Sequence, residues 1–252
     1  MRRRAYAQLL RHRRLHQLVR RGALVGRHVL RRPHEPDFAV FGLWPKRTGL
    51  FLDVGGNAGM SALAFRLYNK RSPILSIEPN PLHEPDLRLV RRLIDGFDYL
   101  LCGASDEPGS LTLYTPTLNG IPLTGEASLS REQVREREEP VMRDLGASGT
   151  WEVLETTVPV RPLDELRLAP DFVKLDVQGW ELHVLEGLKD TLATHQPVVF
   201  MENGPYMPAA IDVLRGHGYE PHHYDGDLLP YTGQEVLNVV FVATRPGAAA
   251  AR

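Results

Sequence analysis

From Gly49 onward the chain alternates between short apolar runs and stretches whose apolar residues recur at helical spacing. "GLFLDVG" predicts a strand at 49–55, and Ser61–Tyr68 the helix that follows it. "PILSIEPN" predicts a second strand, Leu87–Ile94 a second helix and "DYLLCGA" a third strand. After a less regular stretch, "DFVKLDV" predicts a fourth strand, with a helix from Trp180 to about Leu192. "PVVFMEN" predicts a fifth strand, Ala209–His217 the next helix, and "YEPHHY" and "VLNVVFVAT" two more strands. Short apolar strands alternating with helices predict an α/β fold, a doubly wound, Rossmann-like, mostly parallel sheet covered on both faces.

Two regions break this rhythm. Over residues 5–31, Leu15, Leu18 and Val19 share one helical face, as do Val25, Val29 and Leu30. Gly22 and Gly26 predict an interruption between them. Pro33 and Pro36 end this segment, and "DFAVFGLW" predicts a short helix leading into the core. Residues 1–36 thus form a basic helical N-terminal extension, followed by a domain over 37–244. The second irregular region runs from about Tyr114 to Thr157 and is polar and charged, with "REQVREREEP" inside it. A loop of that length belongs to function or to partial disorder. "GSLTLY" and "ETTVPV" flank it and predict a hairpin. Residues 245–252 read as a disordered tail.

The 252 residues, 42 % apolar and 24 % charged, suit one sizeable globular domain with additions. The single cysteine, Cys102, excludes an internal disulfide and fits a reducing compartment. No apolar run is long enough for a membrane span, and the N-terminus lacks the apolar core of a secretory signal. The expectation is a cytoplasmic protein. Its net charge of −1 is unevenly spread: residues 1–32 hold eleven arginines, no lysine and no acid, so the remainder carries −12. Such asymmetry points to an acidic partner surface. Nucleic acid is not expected, because no aromatic interleaving or binding motif accompanies the arginines. A basic extension packed on the domain and a peripheral contact with the inner membrane face stay open.

The stretch "LFLDVGGNAGMSALAF" joins the first strand to its helix through three glycines and an asparagine. A helix start leaves backbone N–H groups without partners, and glycines permit unusual dihedrals and close ligand approach. Ligands of open α/β sheets sit beyond the carboxyl ends of the strands. The spacing Asp53, Gly55, Asn57, Gly59 lacks the last glycine of a dinucleotide fingerprint, since Met60 stands there, and no phosphate-loop Lys-Ser or Lys-Thr pair follows. An acid before the turn repels a pyrophosphate and attracts a cation or an amine. S-adenosylmethionine carries both. Glu78 ends the second strand, where a carboxylate can accept hydrogen bonds from ribose hydroxyls. Asp106, after the third strand, can accept one from an adenine amino group.

"FVKLDVQGWE" puts Lys174 and Asp176 on one face of the fourth strand, because side chains alternate. Asp176 lies at the carboxyl end and is the leading base or substrate-orienting residue. A buried Lys174 beside it would keep it ionised. Glu202 and Asn203 end the fifth strand and would line the same pocket. His222 and His223, adjacent on a strand, face opposite ways and cannot readily share a metal. No zinc-type His/Cys cluster is present; a carboxylate-bound divalent metal stays open.

Together these stretches resemble the class I S-adenosylmethionine-dependent methyltransferases and, more narrowly, the FkbM family of O-methyltransferases. The resemblance covers roughly Asp37 to Ala243. Its matching stretches are "FLDVGGNAGMSA", "ILSIEPNP", "CGASDEPGSLTLY", "VPVRPLDEL", "PDFVKLDVQGWELHVLEGL", "VVFMEN" and "LNVVFVAT". It implies a seven-stranded sheet with the last strand antiparallel, and cofactor contacts from Asp53, Gly55, Asn57, Glu78 and Asp106, with Gly59 in the same turn. It implies methylation of a hydroxyl on a small molecule, natural product or glycan, with residues 115–157 covering the acceptor. One departure is Gln178, where the family usually has a glutamate. N-methylation on the same fold, or a non-catalytic cofactor-binding scaffold, are the rival readings.

Overall fold

The structure is a computed structural model that describes residues 13–244. The start of the basic extension and the tail at 245–252 lie outside the described residues. The strands are β1 (Leu50–Val54), β2 (Ile74–Ile77), β3 (Phe97–Leu100), β4 (Gly103–Ala104), β5 (Gly109–Leu118) and β6 (Ile121–Pro122). They continue as β7 (Trp151–Arg161), β8 (Pro170–Leu175), β9 (Val198–Glu202), β10 (Tyr219–Tyr224), β11 (Leu228–Pro230) and β12 (Asn238–Ala243). The chain divides into two units. One holds the helix before Leu30 and the segment Ser110–Pro159; the other runs from Arg31 to Gly109 and from Val160 onward.

The larger unit carries a sheet of order β3-β2-β1-β8-β9-β12-β10-β11. β1, β2, β3, β8 and β9 run parallel. β12 is antiparallel to both β9 and β10. The sheet thus has eight strands where seven were expected; the addition is the short edge strand β11, antiparallel to β10. The expected third strand also ends earlier. β3 stops at Leu100, whose carbonyl accepts the Glu78 N–H at 3.0 Å. The next N–H of that segment directed at β3, that of Asn80, turns instead to Glu78 Oε1 at 2.8 Å. Gly103 and Ala104 leave the sheet and pair with Val160 and Arg161.

The period of two sorts the residues of the sheet. On one face Leu52, Val54, Val173, Leu175, Val199 and Met201 are buried in a core shared with Val184, Leu185, Met207 and Leu214. On the other, Phe51, Phe172 and Phe200 form an aromatic layer with Phe38, Phe41 and Phe65. Phe51 stacks on Phe65 at 3.9 Å, and Phe38 meets Phe200 edge-on at 5.0 Å. Phe38 and Phe41 come from the 3₁₀ helix Pro36–Leu43, the short helix expected from "DFAVFGLW". Buried aromatic pairs of this kind add to area burial by about 0.5–1.5 kcal/mol each.

The helix expected over Trp180–Leu192 is two helices, Glu181–Glu186 and Lys189–His195. The break falls at Gly187, where a Cβ would collide with the Ser105 carbonyl oxygen and crowd Pro162. Its carbonyl accepts the Asp164 N–H at 3.0 Å. The Asp164 carboxylate then accepts the N–H groups of Asp190 and Thr191 at 2.9 and 3.0 Å and so caps the second helix.

In the smaller unit the helix Arg13–Val29 runs through Gly22 and Gly26 without the expected break. Glycine in a helix costs about 1 kcal/mol relative to alanine, which weakens but does not forbid it. β5 and β7 lie side by side, as their alternation predicts, with β6 on the other side of β5. The segment between them is ordered: helices Arg131–Glu136 and Glu138–Leu145 follow, and Leu118, Ile121 and Leu123 form a small core with Val141, Met142, Leu145 and Trp151 packed against it.

Candidate functional site

The aromatic face of the sheet changes character at its carboxyl edge. Two residues beyond Phe51, Phe172 and Phe200 stand Asp53, Lys174 and Glu202, and strand register puts Ser76 beside Asp53 and Asn238 beside Glu202. Asp176 follows Lys174 by two residues on the same face. A polar row therefore caps an aromatic layer, and all of it follows from strand alternation.

The glycine turn closes over one end of this row. Gly55 has φ 79°, and a Cβ there would collide with the Asp176 carbonyl oxygen, so only glycine fits. The N–H groups of Gly55 and Gly56 both reach the Ile77 carbonyl, at 2.9 and 3.2 Å. Asn57 adopts a left-handed φ of 47°, and Gly59, with φ 83°, caps the helix Met60–Tyr68. The Asn57 N–H donates to Glu78 Oε2 at 2.7 Å, and the Asn80 N–H to Oε1 at 2.8 Å. Burial pushes the Glu78 carboxyl up to about 7, against these two N–H groups, which favour its charge.

Asp53 is placed differently from its expected position facing a ligand: it is 0 % exposed. Its oxygens accept from Ser61 Oγ, both at 2.8 Å, and from Ser76 Oγ at 2.6 Å, with Lys174 Nζ 3.6 Å away. It braces the turn from beneath. A buried carboxylate is stable only when its lone pairs are met in this way.

Lys174 is buried and donates to the Gly55 carbonyl at 2.9 Å and to Asp176 Oδ2 at 3.1 Å. Burial works against its charge, but the Asp176 and Asp53 carboxylates outweigh this and hold its pKa above the ordinary value. Burial likewise raises Asp176, and Lys174 overrides it, so the carboxyl stays below its usual range. Gln178 Nε2 donates to Asp176 Oδ1 at 3.2 Å and to Glu202 Oε2 at 3.3 Å. Gln178 itself has φ 57° and precedes Gly179 with φ 98°. Burial, then the charge of Asp176, pushes Glu202 up to about 7. Asn203, the last of the expected lining residues, donates from Nδ2 to the Val236 carbonyl at 3.1 Å.

Asp106 lies apart from this row. Ser105 Oγ donates to it at 2.9 Å, and His183 Nδ1 is 3.0 Å away; the His183 contact leads in lowering its pKa. His183 stacks on Trp180 at 3.9 Å, and Trp180 Nε1 donates to Ser105 Oγ at 3.3 Å. His222 and His223 sit on β10, with His222 Nδ1 2.9 Å from the Glu220 carbonyl oxygen. Among the described residues no group of three or more His, Cys, Asp or Glu side chains is arranged to hold a metal ion.

The Methyltransferase FkbM domain matches residues 53–221, which carry the turn and Asp53, Glu78, Asp176 and Glu202. The chain belongs to the FkbM methyltransferase-domain family. Methyltransferase sdnD of Sordaria araneosa is 30 % identical over 156 residues, 55 % of this chain and 60 % of that protein. The chain therefore matches less than two thirds of the length of this curated relative. The crystal structure of Methyltransferase FkbM from Methylobacillus flagellatus KT aligns with a TM-score of 0.52 at 16 % identity, over 96 % of this chain and 59 % of that one. That likeness shows the fold.

Two parts of this FkbM-domain site escape a reading by strand ends. Asn238 Nδ2 donates to Glu35 Oε2 at 3.0 Å and to Asp37 Oδ2 at 2.8 Å. His34 Nε2 is 3.4 Å from Glu35, and its Nδ1 is buried with no partner among the described residues. Glu35 and Asp37 thus join the Glu202 end of the row from a segment that precedes the first strand. The only hint in the sequence is the polar "HEPD" ahead of an apolar run. Ser61 and Ser76 were equally hidden, because serines inside a helix and a strand carry no motif of their own.

Proposed function

We propose that this chain is an S-adenosylmethionine-dependent methyltransferase acting on a hydroxyl of a small molecule, natural product or glycan in the cytoplasm. The observation that carries this is Asp176: ionised, half open, and fixed from one side by Lys174 and from the other by Gln178. The cofactor suits the donor and acceptor set present. Glu78 keeps one lone pair per oxygen after its two backbone N–H bonds, enough for two neighbouring ribose hydroxyls. Asp106 is partly exposed and can accept from an adenine amino group. Gly55, Asn57 and Gly59 would let the backbone pass close to the cofactor. S-adenosylmethionine supplies an electrophilic methyl group on a positively charged sulfur.

Asp176 takes the proton that the acceptor hydroxyl loses as its oxygen gains the methyl group. Lys174 keeps Asp176 charged, and fixing donor and acceptor in line supplies the rest of the rate. Glu202 and Gln178 orient the acceptor. The carboxylates Asp176, Glu202, Glu35 and Asp37 would also attract a protonated amine, so N-methylation is the second reading. Calorimetry with S-adenosylhomocysteine and with NAD is the first test. Binding of the former alone is expected; NAD binding without it would overturn the proposal. Transfer of a labelled methyl group to an acceptor panel of hydroxyls and amines then decides between the two readings. A tight binder that transfers to none of them would favour the scaffold.

A further inference from the structure

The helix Arg13–Val29 presents its apolar stripe to solvent. At 3.6 residues per turn, Leu15, Leu18, Val19, Val25 and Val29 fall on one side. Leu18 is 67 %, Val29 68 % and the following Leu30 66 % exposed; Leu15 and Val19 are exposed as well. Among the described side chains of this helix the buried ones are His16 and Leu24, on its other side. Arg20, on that side too, donates to Thr124 Oγ1 at 2.9 Å. A surface helix ordinarily does the reverse and turns its apolar stripe to the core. Single exposed leucines are common on proteins, but a continuous stripe marks a surface that something covers.

Charge selects the occupant. Residues 1–32 carry eleven arginines and no acid, and Arg21 stands on one flank of the stripe. A second copy seated on the same face would set eleven arginines against eleven. A nucleic acid would neutralise the arginines and leave the leucines in water. An anionic bilayer meets both needs, with phosphates for the guanidinium groups and an acyl boundary for the leucines and valines. We propose that the helix Arg13–Val29 docks flat on an anionic lipid surface through Leu15, Leu18, Val19, Val29 and Leu30. This surface is independent of the methyl-transfer reading.

The test uses the full chain and sedimentation with vesicles of phosphatidylcholine, with or without phosphatidylglycerol. Co-sedimentation is expected only with phosphatidylglycerol, and is expected to fall as salt is added. Leu18→Asp with Val29→Asp should weaken it by more than about tenfold, because two inserting side chains are lost. Arg21→Gln should weaken it too, whereas Arg21→Lys should keep most of it. Far-UV circular dichroism and thermal unfolding check that each variant is folded; Leu18→Ser with Val29→Ser replaces the aspartate pair if that one is not. Absence of binding to phosphatidylglycerol vesicles at low salt overturns the proposal. So does undiminished binding by the folded apolar variants, which would leave only non-specific charge. A dimer that these same substitutions abolish, with no vesicle binding, would name a second copy as the occupant. Duplex DNA binding without vesicle binding would name nucleic acid.

Discussion

Asp53 is the penultimate residue of β1, Glu78 and Asp176 follow β2 and β8, and Glu202 ends β9, all on one face of one sheet. The first pair is closed in by its own protein. Two serines and a lysine surround Asp53, and two backbone N–H groups hold Glu78. The second pair is held by side chains, Lys174 and Gln178, and stays partly open. What differs is the chain after each strand. After β1 and β2 it folds back and directs N–H groups at Glu78. After β8 it turns away through Gln178 and Gly179, both at positive φ. Acids on one face of one sheet, Asp53 level with Lys174 and Asp176 two residues further out, thus divide into those that build the site and those free to work in it.

The sharpest way to break this comparison is Asp53→Ala. Removing one partner of a buried, hydrogen-bonded charge set should lower the unfolding free energy by about 3–5 kcal/mol. Urea denaturation measures this, and a loss near zero would show that Asp53 does not brace the turn. Asp176→Asn should behave in the opposite way. Turnover with a true acceptor should fall by about 10²–10⁴-fold, the range for a lost acid–base group, while the urea midpoint moves much less than for Asp53→Ala. A stability loss as large as that of Asp53→Ala would place Asp176 with the structural pair.

Glu78 stands between the two roles and sharpens the division. Glu78→Ala should weaken S-adenosylhomocysteine binding by about 1.5–3 kcal/mol in calorimetry, as expected for hydrogen bonds to a charged group. Glu78→Gln should also be impaired, because its NH₂ must point at the N–H of Asn57 or of Asn80. Unchanged affinity in both would leave Glu78 a purely structural residue.

The smallest effect concerns pH. The Glu202 carboxyl is raised from 4.5 to about 7 in the folded chain. Between those values the folded state holds the proton that the unfolded state has released, so stability falls as pH rises through that window. Glu202→Gln should flatten that part of the slope in denaturation curves recorded across it. The similarly raised Glu78 should leave a residual slope. A slope untouched by Glu202→Gln would mean that Glu202 is ionised throughout.

Much of the parallel sheet was legible, because buried strands must be apolar and their punctuation is local. "GLFLDVG" and "PVVFMEN" became β1 and β9 at nearly the expected bounds. The region from Tyr114 to Thr157 was not legible: its order rests on a small core of Leu118, Ile121 and Leu123 that no period announces. The break at Gly187 was also hidden, since the atom that forbids a side chain there belongs to Ser105, far away in sequence.

By itself the sequence determined which residues share a face. Alternation in "DFVKLDV" puts Lys174 and Asp176 together on any strand, and the three glycines fix a turn after β1. Only the tertiary structure decided what each acid does. Asp53 and Asp176 are alike in local sequence, each an acid set among apolar residues at a strand end. Their roles separate because Ser61, Ser76 and Lys174 converge on the first, while Gln178 leaves the second partly open. Burial and charge pairing depend on neighbours brought from distant strands, and those neighbours set a carboxylate's solvation and hence its chemistry.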